Sequence, residues 1–284
     1  THLEFPDNVA EEECKRPEYF AVRKVRRPAP DYKAVNMAVD LLRQAKRPLI
    51  LAGNGTIRKR ATKQLRLFLE KTGLGICNTF MGKGAAGDGY AYNLFTIGLQ
   101  SRDHVTCAIE EADLIITIGY DIVEYAPQFW NPDGSKTILH LDFDPAEVDY
   151  WYNPNVEVVG DLANTLWELN HRLESEPFEK GKGEFVLKHR KKIIEEVHEH
   201  DHSTAFPVKP QKILHDVREV LGSNDILISD VGAHKIWIAR MFIVNEPNTC
   251  IISNGFASMG IALPGGIAAK LAFPERRVLT ISGD

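Results

Sequence analysis

The sequence predicts an α/β fold in which a doubly wound, mostly parallel sheet is followed by a second α/β domain that ends early. Short apolar runs alternate with amphipathic helical patterns along most of the chain. A charged stretch divides this alternation into a longer and a shorter unit. The length of 284 residues and the hydrophobic content of 44% are sufficient for a sizeable core and two domains.

The elements of the longer unit follow from capping residues and apolar spacing. Asp31 is a helix-capping residue, and apolar residues follow it at helical spacing. Gly73 is placed to end the second helix. The predicted strands are 48–52, 76–80, 114–118, 137–141 and 156–159, and the later predicted helices are 56–71, 105–111 and 161–173.

The shorter unit follows Pro207 and Pro210, and its last strand has no helix after it. Its predicted helices are 211–221, 234–242 and 260–271, and its predicted strands are 226–229, 250–253 and 278–282. We therefore expect the tail of a missing N-terminal domain with a linker at 1–30, a central Rossmann-like domain at 31–175, a charged linker at 176–205, and a truncated domain at 206–284.

Composition excludes several classes of function. A net charge of -5 offers no basic surface for nucleic acid. No apolar run approaches the roughly 20 residues that span a membrane, and Thr1 opens on no signal sequence, so we expect a soluble, cytoplasmic protein. The four cysteines lie far apart, which indicates isolated thiols rather than a zinc site or disulfides.

Two patterns in the first two hundred residues have a ligand-binding and a structural interpretation. The turn Gly53-Asn54-Gly55 joins a predicted strand to a helix, where backbone N–H groups can approach a phosphate. Without a third glycine, the same pattern is typical of a tight turn. His198, His200 and His202 lie among carboxylates and resemble a metal cluster, but no second ligand cluster accompanies them. We interpret these histidines as exposed charge.

An aromatic group follows the predicted strand at 114–118, at the edge where open α/β sheets bind ligands. Aromatic side chains are also ordinary packing material after a strand, so ligand contact and packing both stay open. The group comprises Tyr120, Tyr125, Phe129 and Trp130, with Asp121 and Glu124 nearby.

The shorter unit places polar turns after two of its strands. Residues 229–234 lead into a helix whose free N–H groups can hold an anion, and Ser282-Gly283-Asp284 places a carboxylate where a divalent cation can bind. A carboxylate beside a phosphate requires a cation between them, and Mg²⁺ bridging a diphosphate meets that requirement. Between these turns, residues 255–260 allow close backbone approach, and Met259 is either a ligand contact or a core methionine.

These segments resemble a known family. Residues 231–237, 255–264 and 282–284 are similar to the diphosphate-binding domain of thiamine-diphosphate enzymes, specifically the acetolactate synthase family. Further segments resemble the central domain and the end of the N-terminal pyrimidine-binding domain of that family. They are 119–125, 130–131, 140–142 and 159–161 for the central domain, and 1–10 for the pyrimidine-binding domain.

The resemblance implies a cofactor, a reaction and a set of site residues. It implies that two pyruvates condense to 2-acetolactate and CO₂ through an enamine of thiamine diphosphate. It also implies an oligomer, at least a homodimer, because the cofactor of this family lies between two subunits. The implied cofactor-binding residues are Val231, Gly232, Ala233, His234, Ala257, Met259, Gly283 and Asp284, with Asp284 as the Mg²⁺ ligand.

The sequence departs from the family pattern in ways that limit the implied activity. The activating glutamate of the family belongs to the N-terminal domain. The metal motif of the family has a further Gly and an Asn after the two residues that match Gly283-Asp284 here. We therefore expect the 284-residue chain alone to be inactive. FAD is expected to be absent because the stretch 119–125 resembles the flavin-free branch, although 80–84 resembles the flavin-binding one.

Two other functions stay open at this point. A pyruvate oxidase, benzoylformate decarboxylase or glyoxylate carboligase would share the cofactor motif and differ in the substrate pocket. A non-catalytic nucleotide-binding or interaction module would retain the fold without the chemistry. Magnesium-dependent binding of thiamine diphosphate separates the enzymes from the module, and product analysis separates the enzymes from one another.

Overall fold

The computed structural model describes residues 6–13, 27–99, 102–175 and 178–283. This part of the chain contains two parallel β-sheets. The strands are β1 (Pro48–Ala52), β2 (Gly75–Asn78), β3 (Asn93–Thr96), β4 (Leu114–Ile118), β5 (Thr137–Asp142), β6 (Val156–Val159), β7 (Ile226–Ser229), β8 (Cys250–Ile252) and β9 (Val278–Ile281). The α-helices are α1 (Asp7–Ala10), α2 (Tyr32–Gln44), α3 (Lys59–Thr72), α4 (His104–Glu111), α5 (Leu162–Ser175), α6 (Leu187–His198), α7 (Pro210–Val220), α8 (Ala233–Met241) and α9 (Ala262–Ala272). Short 3₁₀-helices cover Asn54–Ile57, Pro127–Phe129 and Glu184–Val186.

The first sheet has six parallel strands in the order β3-β2-β1-β4-β5-β6. The chain order reverses between β1 and β4, where Ala52 lies opposite Ile118. Such a reversal opens a crevice at the carboxyl ends of the two strands. The predicted doubly wound parallel sheet is confirmed.

Alternate side chains of the central strands enter two hydrophobic cores, one on each face of the sheet. On one face, Ile50 packs in a core with α2, α3 and α5. On the other face, Leu49 packs in a core with α4 and α6. Helix α6 comes from the charged stretch, yet its Ile193 and Val197 are buried in that second core. Helices therefore cover both faces, as in doubly wound folds.

Local signals in the sequence set several element boundaries. The Asp31 carboxylate accepts a hydrogen bond from the Ala34 amide at 2.9 Å, which caps α2 as predicted. Gly73 ends α3 with φ of 64°, a left-handed conformation that glycine adopts without strain. Helix α3 begins at Lys59, later than predicted, because the 3₁₀-helix Asn54–Ile57 occupies the start of the connection.

The second sheet has the order β8-β7-β9, again parallel, with α7 and α8 on one face and α9 on the other. Phe80, from the loop after β2, packs in the same core as Ile238 of α8 and Phe242, the residue that follows α8. The two sheets therefore share apolar contacts. The predicted domain boundaries stay a prediction, and most of the predicted tail 1–30, including Cys14, lies outside the described residues.

The cysteines of the described residues are free thiols. Cys77 and Cys250 are buried free thiols, and burial raises the pKa of the Cys250 thiol to about 12. A thiol of that pKa is unreactive near neutral pH. In the part of the chain that the structure describes, no helix has both the length and the apolar character needed to cross a bilayer.

A buried ion pair of the first unit also binds a backbone amide of the second unit. The Lys83 ammonium lies 3.3 Å from the Asp88 carboxylate, and the two side chains are 0% and 1% exposed. The same carboxylate accepts a hydrogen bond from the Val244 amide, after α8, at 2.7 Å. Asp88 therefore neutralises a buried cation and holds the second unit against the first.

We predict that Asp88→Ala lowers the free energy of unfolding by about 3–5 kcal/mol, because it leaves the Lys83 ammonium buried without its counter-charge. Urea unfolding followed by circular dichroism measures the change. The control is Glu195→Ala, which breaks an exposed pair with Lys192 and should cost at most about 1 kcal/mol. Equal effects of the two substitutions would contradict the prediction.

Candidate functional site

The N-terminus of α8 opens at the carboxyl end of β7, at a turn that requires glycine. Gly232 has φ of 149°, and a Cβ atom there would lie 2.9 Å from Cε1 of His234. Only glycine fits this backbone beneath the imidazole ring. The first amides of a helix lack intrahelical partners and favour an anion. The predicted diphosphate turn, Val231 to His234, therefore lies at the start of a helix, and its role in binding a diphosphate stays a prediction.

His234 connects this turn to the end of β9. A Cβ atom on Gly283 would lie 3.5 Å from Cε1 of His234 and 3.8 Å from the Val231 carbonyl oxygen. The Nε2 atom of His234 is buried and has no hydrogen-bond partner among the described residues. A buried polar atom without a protein partner is free to bind a water or a ligand. The structure thus brings together Val231, Gly232 and His234, which follow β7, and Gly283, which follows the adjacent strand β9.

Asp230 joins the turn after β7 to the segment before α9. Its Oδ1 atom accepts hydrogen bonds from the amides of Val231 at 2.7 Å and Gly260 at 2.8 Å. Its Oδ2 atom accepts one from the amide of Ala262, in the first turn of α9, at 3.2 Å. These bonds, that from Val231 first, hold the pKa of the Asp230 carboxyl below its usual range. Sequence reasoning missed this role, although an Asp directly after a buried strand was a visible signal.

The segment that carries Ala257 and Met259 runs along the surface between β8 and α9. Met259 is 82% exposed, so the interpretation of Met259 as a core methionine is wrong. Phe256, beside it, is 98% exposed. Ala257 has φ of 48°, a conformation that costs a non-glycine residue about 1–2 kcal/mol. An exposed methionine next to a strained backbone is typical of a contact surface rather than of packing.

The predicted metal ligand, Asp284, lies outside the described residues, so its role stays a prediction. Within the described ranges, no group of three or more His, Cys, Asp or Glu side chains converges on a point that could hold a metal ion. His198 instead pairs with Asp201, with Nδ1 and Oδ2 separated by 2.6 Å. His198 and His202 are exposed, as interpreted from the sequence, whereas His200 is partly buried.

The glycine turn of the central domain uses its amides within the protein. The Gly53 amide donates to the Ile118 carbonyl and the Gly55 amide to the Gly119 carbonyl, both at 2.9 Å. A Cβ atom on Gly55 would lie 2.7 Å from Cα of Gly119, so the two turns pack backbone against backbone. The observed geometry is that of the tight turn.

The remaining amide of this turn binds a buried carboxylate. Glu124 is 8% exposed, and its Oε1 atom accepts a hydrogen bond from the Asn54 amide at 2.9 Å. Its Oε2 atom accepts one from the Thr79 hydroxyl. Burial raises the pKa of the Glu124 carboxyl. Glu124 thereby occupies the place beside the glycine turn that an anion would need.

The aromatic group after β4 divides into a packed and an exposed part. Tyr120 and Trp130 are buried, and the Trp130 Nε1 atom donates to the Tyr120 hydroxyl at 3.1 Å. Tyr125 and Phe129 stack with ring centroids 5.7 Å apart, and Phe129 is 60% exposed. The packing interpretation therefore holds for Tyr120 and Trp130. Tyr120 also lines a crevice of about 260 Å³, whose other lining residues are mainly polar.

Comparisons with known proteins agree with this arrangement. The family model described as the central domain of thiamine pyrophosphate enzymes matches residues 35–169, and the model of their C-terminal TPP binding domain matches residues 230–284. The chain belongs to the thiamine pyrophosphate enzymes. The resemblance noted in the sequence is thus confirmed.

The curated relatives are similar over nearly all of this chain. An acetolactate synthase of Bacillus subtilis is 32% identical over 99% of this chain and 50% of its own length. A probable acetolactate synthase large subunit of Methanocaldococcus jannaschii is 30% identical over 100% of this chain and 50% of its own length. A catabolic acetolactate synthase of Raoultella terrigena is 33% identical over 90% and 46% respectively. The chain spans about half the length of these relatives.

We predict that Asp230→Asn loosens the connection between the turn after β7 and the segment before α9. The reason is that an amide side chain has one acceptor oxygen where the carboxylate has two. Amide hydrogen exchange at Gly260 and Ala262 should become faster. The matched control is Asp225→Asn, at the other end of β7, whose carboxylate binds the Gly222 amide. The control should leave exchange at Gly260 unchanged.

The same variant should show a defined pH dependence. Because the folded-state pKa of Asp230 is lowered, its stabilising contribution is complete above the unfolded value of about 3.9 and is lost as the pH falls through the folded value. The difference in melting temperature between the wild type and Asp230→Asn should therefore be constant from pH 7 to 5 and shrink below about pH 4. A difference that does not change with acidification would contradict this assignment.

Proposed function

We propose that this chain is part of an acetolactate synthase that condenses two pyruvates to 2-acetolactate and CO₂ with thiamine diphosphate as cofactor. The observation that carries the proposal is the Asp230 carboxylate, which holds the Gly232 turn and the Met259 segment together. The family resemblance assigns these segments to the two ends of one cofactor. The names of the relatives support the choice of reaction.

The residues of this chain would divide the binding of the cofactor between them. The first turn of α8, with Val231, Gly232, Ala233 and His234, would hold the diphosphate, because helix N-termini favour anions. The buried and unpartnered Nε2 atom of His234 fits a site that receives a polar ligand. The Ala257 and Met259 segment would contact the organic part of the cofactor.

The carboxylates of this site would have separate roles. Both oxygens of Asp230 already accept amide hydrogens, so Asp230 serves as a brace. Gly283 and Asp284 would serve the diphosphate end, with Asp284 as the ligand of Mg²⁺, a cation that prefers carboxylate and phosphate oxygens. When bound, thiamine diphosphate supplies the carbanion stabilisation on which the condensation depends.

A complete site would require a second subunit and the full-length protein. We propose that the glutamate that activates the cofactor belongs to the pyrimidine-binding domain of a partner subunit in a homodimer or higher oligomer. The exposed Phe256 and Met259 side chains support a contact of this kind. We also propose that no FAD binds, because the amides of Gly53, Asn54 and Gly55 donate to protein acceptors. Cytoplasmic localisation stays a prediction from the sequence.

The test uses the full-length protein that carries this chain. We predict that calorimetric titration shows binding of thiamine diphosphate that depends on Mg²⁺, and that Asp284→Ala removes the metal dependence because it removes the carboxylate ligand. The control is Glu275→Ala, an exposed carboxylate of the same unit that should change nothing. Binding that is indifferent to Mg²⁺ in the unaltered protein would contradict the metal assignment.

Product analysis with pyruvate decides the reaction. The full-length protein should release 2-acetolactate and CO₂, and the 284-residue chain alone should show no turnover. A product other than 2-acetolactate would indicate a different thiamine-diphosphate enzyme. Turnover by the isolated chain would contradict the requirement for the activating glutamate of another domain.

A further inference from the structure

Lys235 follows the diphosphate turn directly, and its side chain reaches the end of β8. The Lys235 ammonium donates hydrogen bonds to Oδ1 of Asn254 at 2.6 Å and to the Ser253 carbonyl oxygen at 3.3 Å. It also lies 4.9 Å from the centroid of the Phe80 ring, which belongs to the first unit. Burial lowers the pKa of the Lys235 ammonium. A half-buried cation is thus directed at three groups of the protein.

Asn254 extends this connection to the central domain. Its Nδ2 atom donates a hydrogen bond to the backbone carbonyl of Glu124 at 2.8 Å. The Glu124 side chain is itself fixed by the Asn54 amide and the Thr79 hydroxyl. The Asn254 amide group therefore bridges Lys235 on α8 and a buried, well-anchored residue of the first unit. The amide oxygen of Asn254 accepts from the Lys235 ammonium, and the amide nitrogen donates to the Glu124 carbonyl.

The bridge through Asn254 holds one end of the segment that contains Met259. Asn254 immediately precedes the segment 255–260, which contains Ala257 and Met259. Asp230 binds the other end of the segment at the Gly260 amide. Lys235 and Asp230 flank the Gly232 turn on its two sides. Both ends of the Met259 segment are therefore held by the two residues that border the diphosphate turn.

We propose that Lys235 is a positioning residue that acts through Asn254 to fix the distance between the diphosphate turn and the Met259 segment. The inference rests on the proposed function, because that distance matters only for a ligand that spans both parts. Lys235 would contribute to binding of the whole cofactor without contacting the diphosphate. A lysine beside a phosphate site would otherwise be taken for a direct phosphate ligand.

A positioning role and a direct phosphate-binding role of Lys235 predict different results with inorganic diphosphate. Inorganic diphosphate needs only the α8 N-terminus, whereas thiamine diphosphate needs the turn and the segment at the correct separation. A positioning role predicts that Lys235→Met weakens binding of thiamine diphosphate with Mg²⁺ about tenfold, the size expected for a lost charged hydrogen bond. Binding of inorganic diphosphate with Mg²⁺ should not change. Both are measured by calorimetry on the full-length protein.

Further variants test whether Lys235 acts through Asn254. Asn254→Ala should reproduce the effect of Lys235→Met, and the double variant should be no weaker than the weaker single variant. Lys235→Arg retains donors and should restore most of the affinity. The matched control is Lys212→Met, which removes an ammonium that pairs with Asp216 on α7 and should leave both ligands unaffected.

A measurement on the cofactor-free protein keeps this inference separable from the proposed function. Lys235→Met should accelerate amide exchange across 255–260 even without ligand. Absence of thiamine diphosphate binding in the unaltered protein would overturn the proposed function, and exchange would still decide whether Lys235 holds the segment. Three results would overturn the positioning role: unchanged exchange, a parallel loss of inorganic diphosphate binding, or additive effects of Lys235→Met and Asn254→Ala.

Discussion

The candidate site depends on the hydrogen bonds that the Asp230 carboxylate accepts. This carboxylate accepts amide hydrogens from Val231, Gly260 and Ala262, which belong to two connections of the second sheet. A carboxylate is suited to this task because two oxygens can bind several donors at once, and charged hydrogen bonds are stronger than neutral ones. This brace holds the α9 end of the Met259 segment against the turn after β7.

The central domain supports the candidate site through its backbone. Its crevice lies at the expected reversal of strand order, yet the glycine turn packs on Gly119 and its amides are satisfied by carbonyls and by Glu124. Glu124 has a second role through its backbone, which binds Asn254 at the start of the Met259 segment. The backbone of the central domain thus holds the residue from which the segment 255–260 begins.

The sequence predicted elements with strong periodicity and missed features that depend on distant contacts. Strands β1, β4 and β7 were predicted with the observed bounds, because each is a continuous buried run. Strand β3 was missed because it has only four residues and polar Asn93 and Thr96 stand at its two ends. The family resemblance supplied the candidate site segments, which stay a prediction. The bond from Asp230 to Gly260 spans thirty residues and has no periodic signature, so only the structure could reveal it.

The central claim is that the Gly232 turn and the Met259 segment form the two ends of one cofactor site. The most direct test is amide hydrogen exchange of the full-length protein, with and without thiamine diphosphate and Mg²⁺. The account predicts that the cofactor slows exchange at 231–235 and at 255–260 together, with little change at 53–55. Protection confined to the central-domain turn, or protection of only one of the two segments, would contradict it.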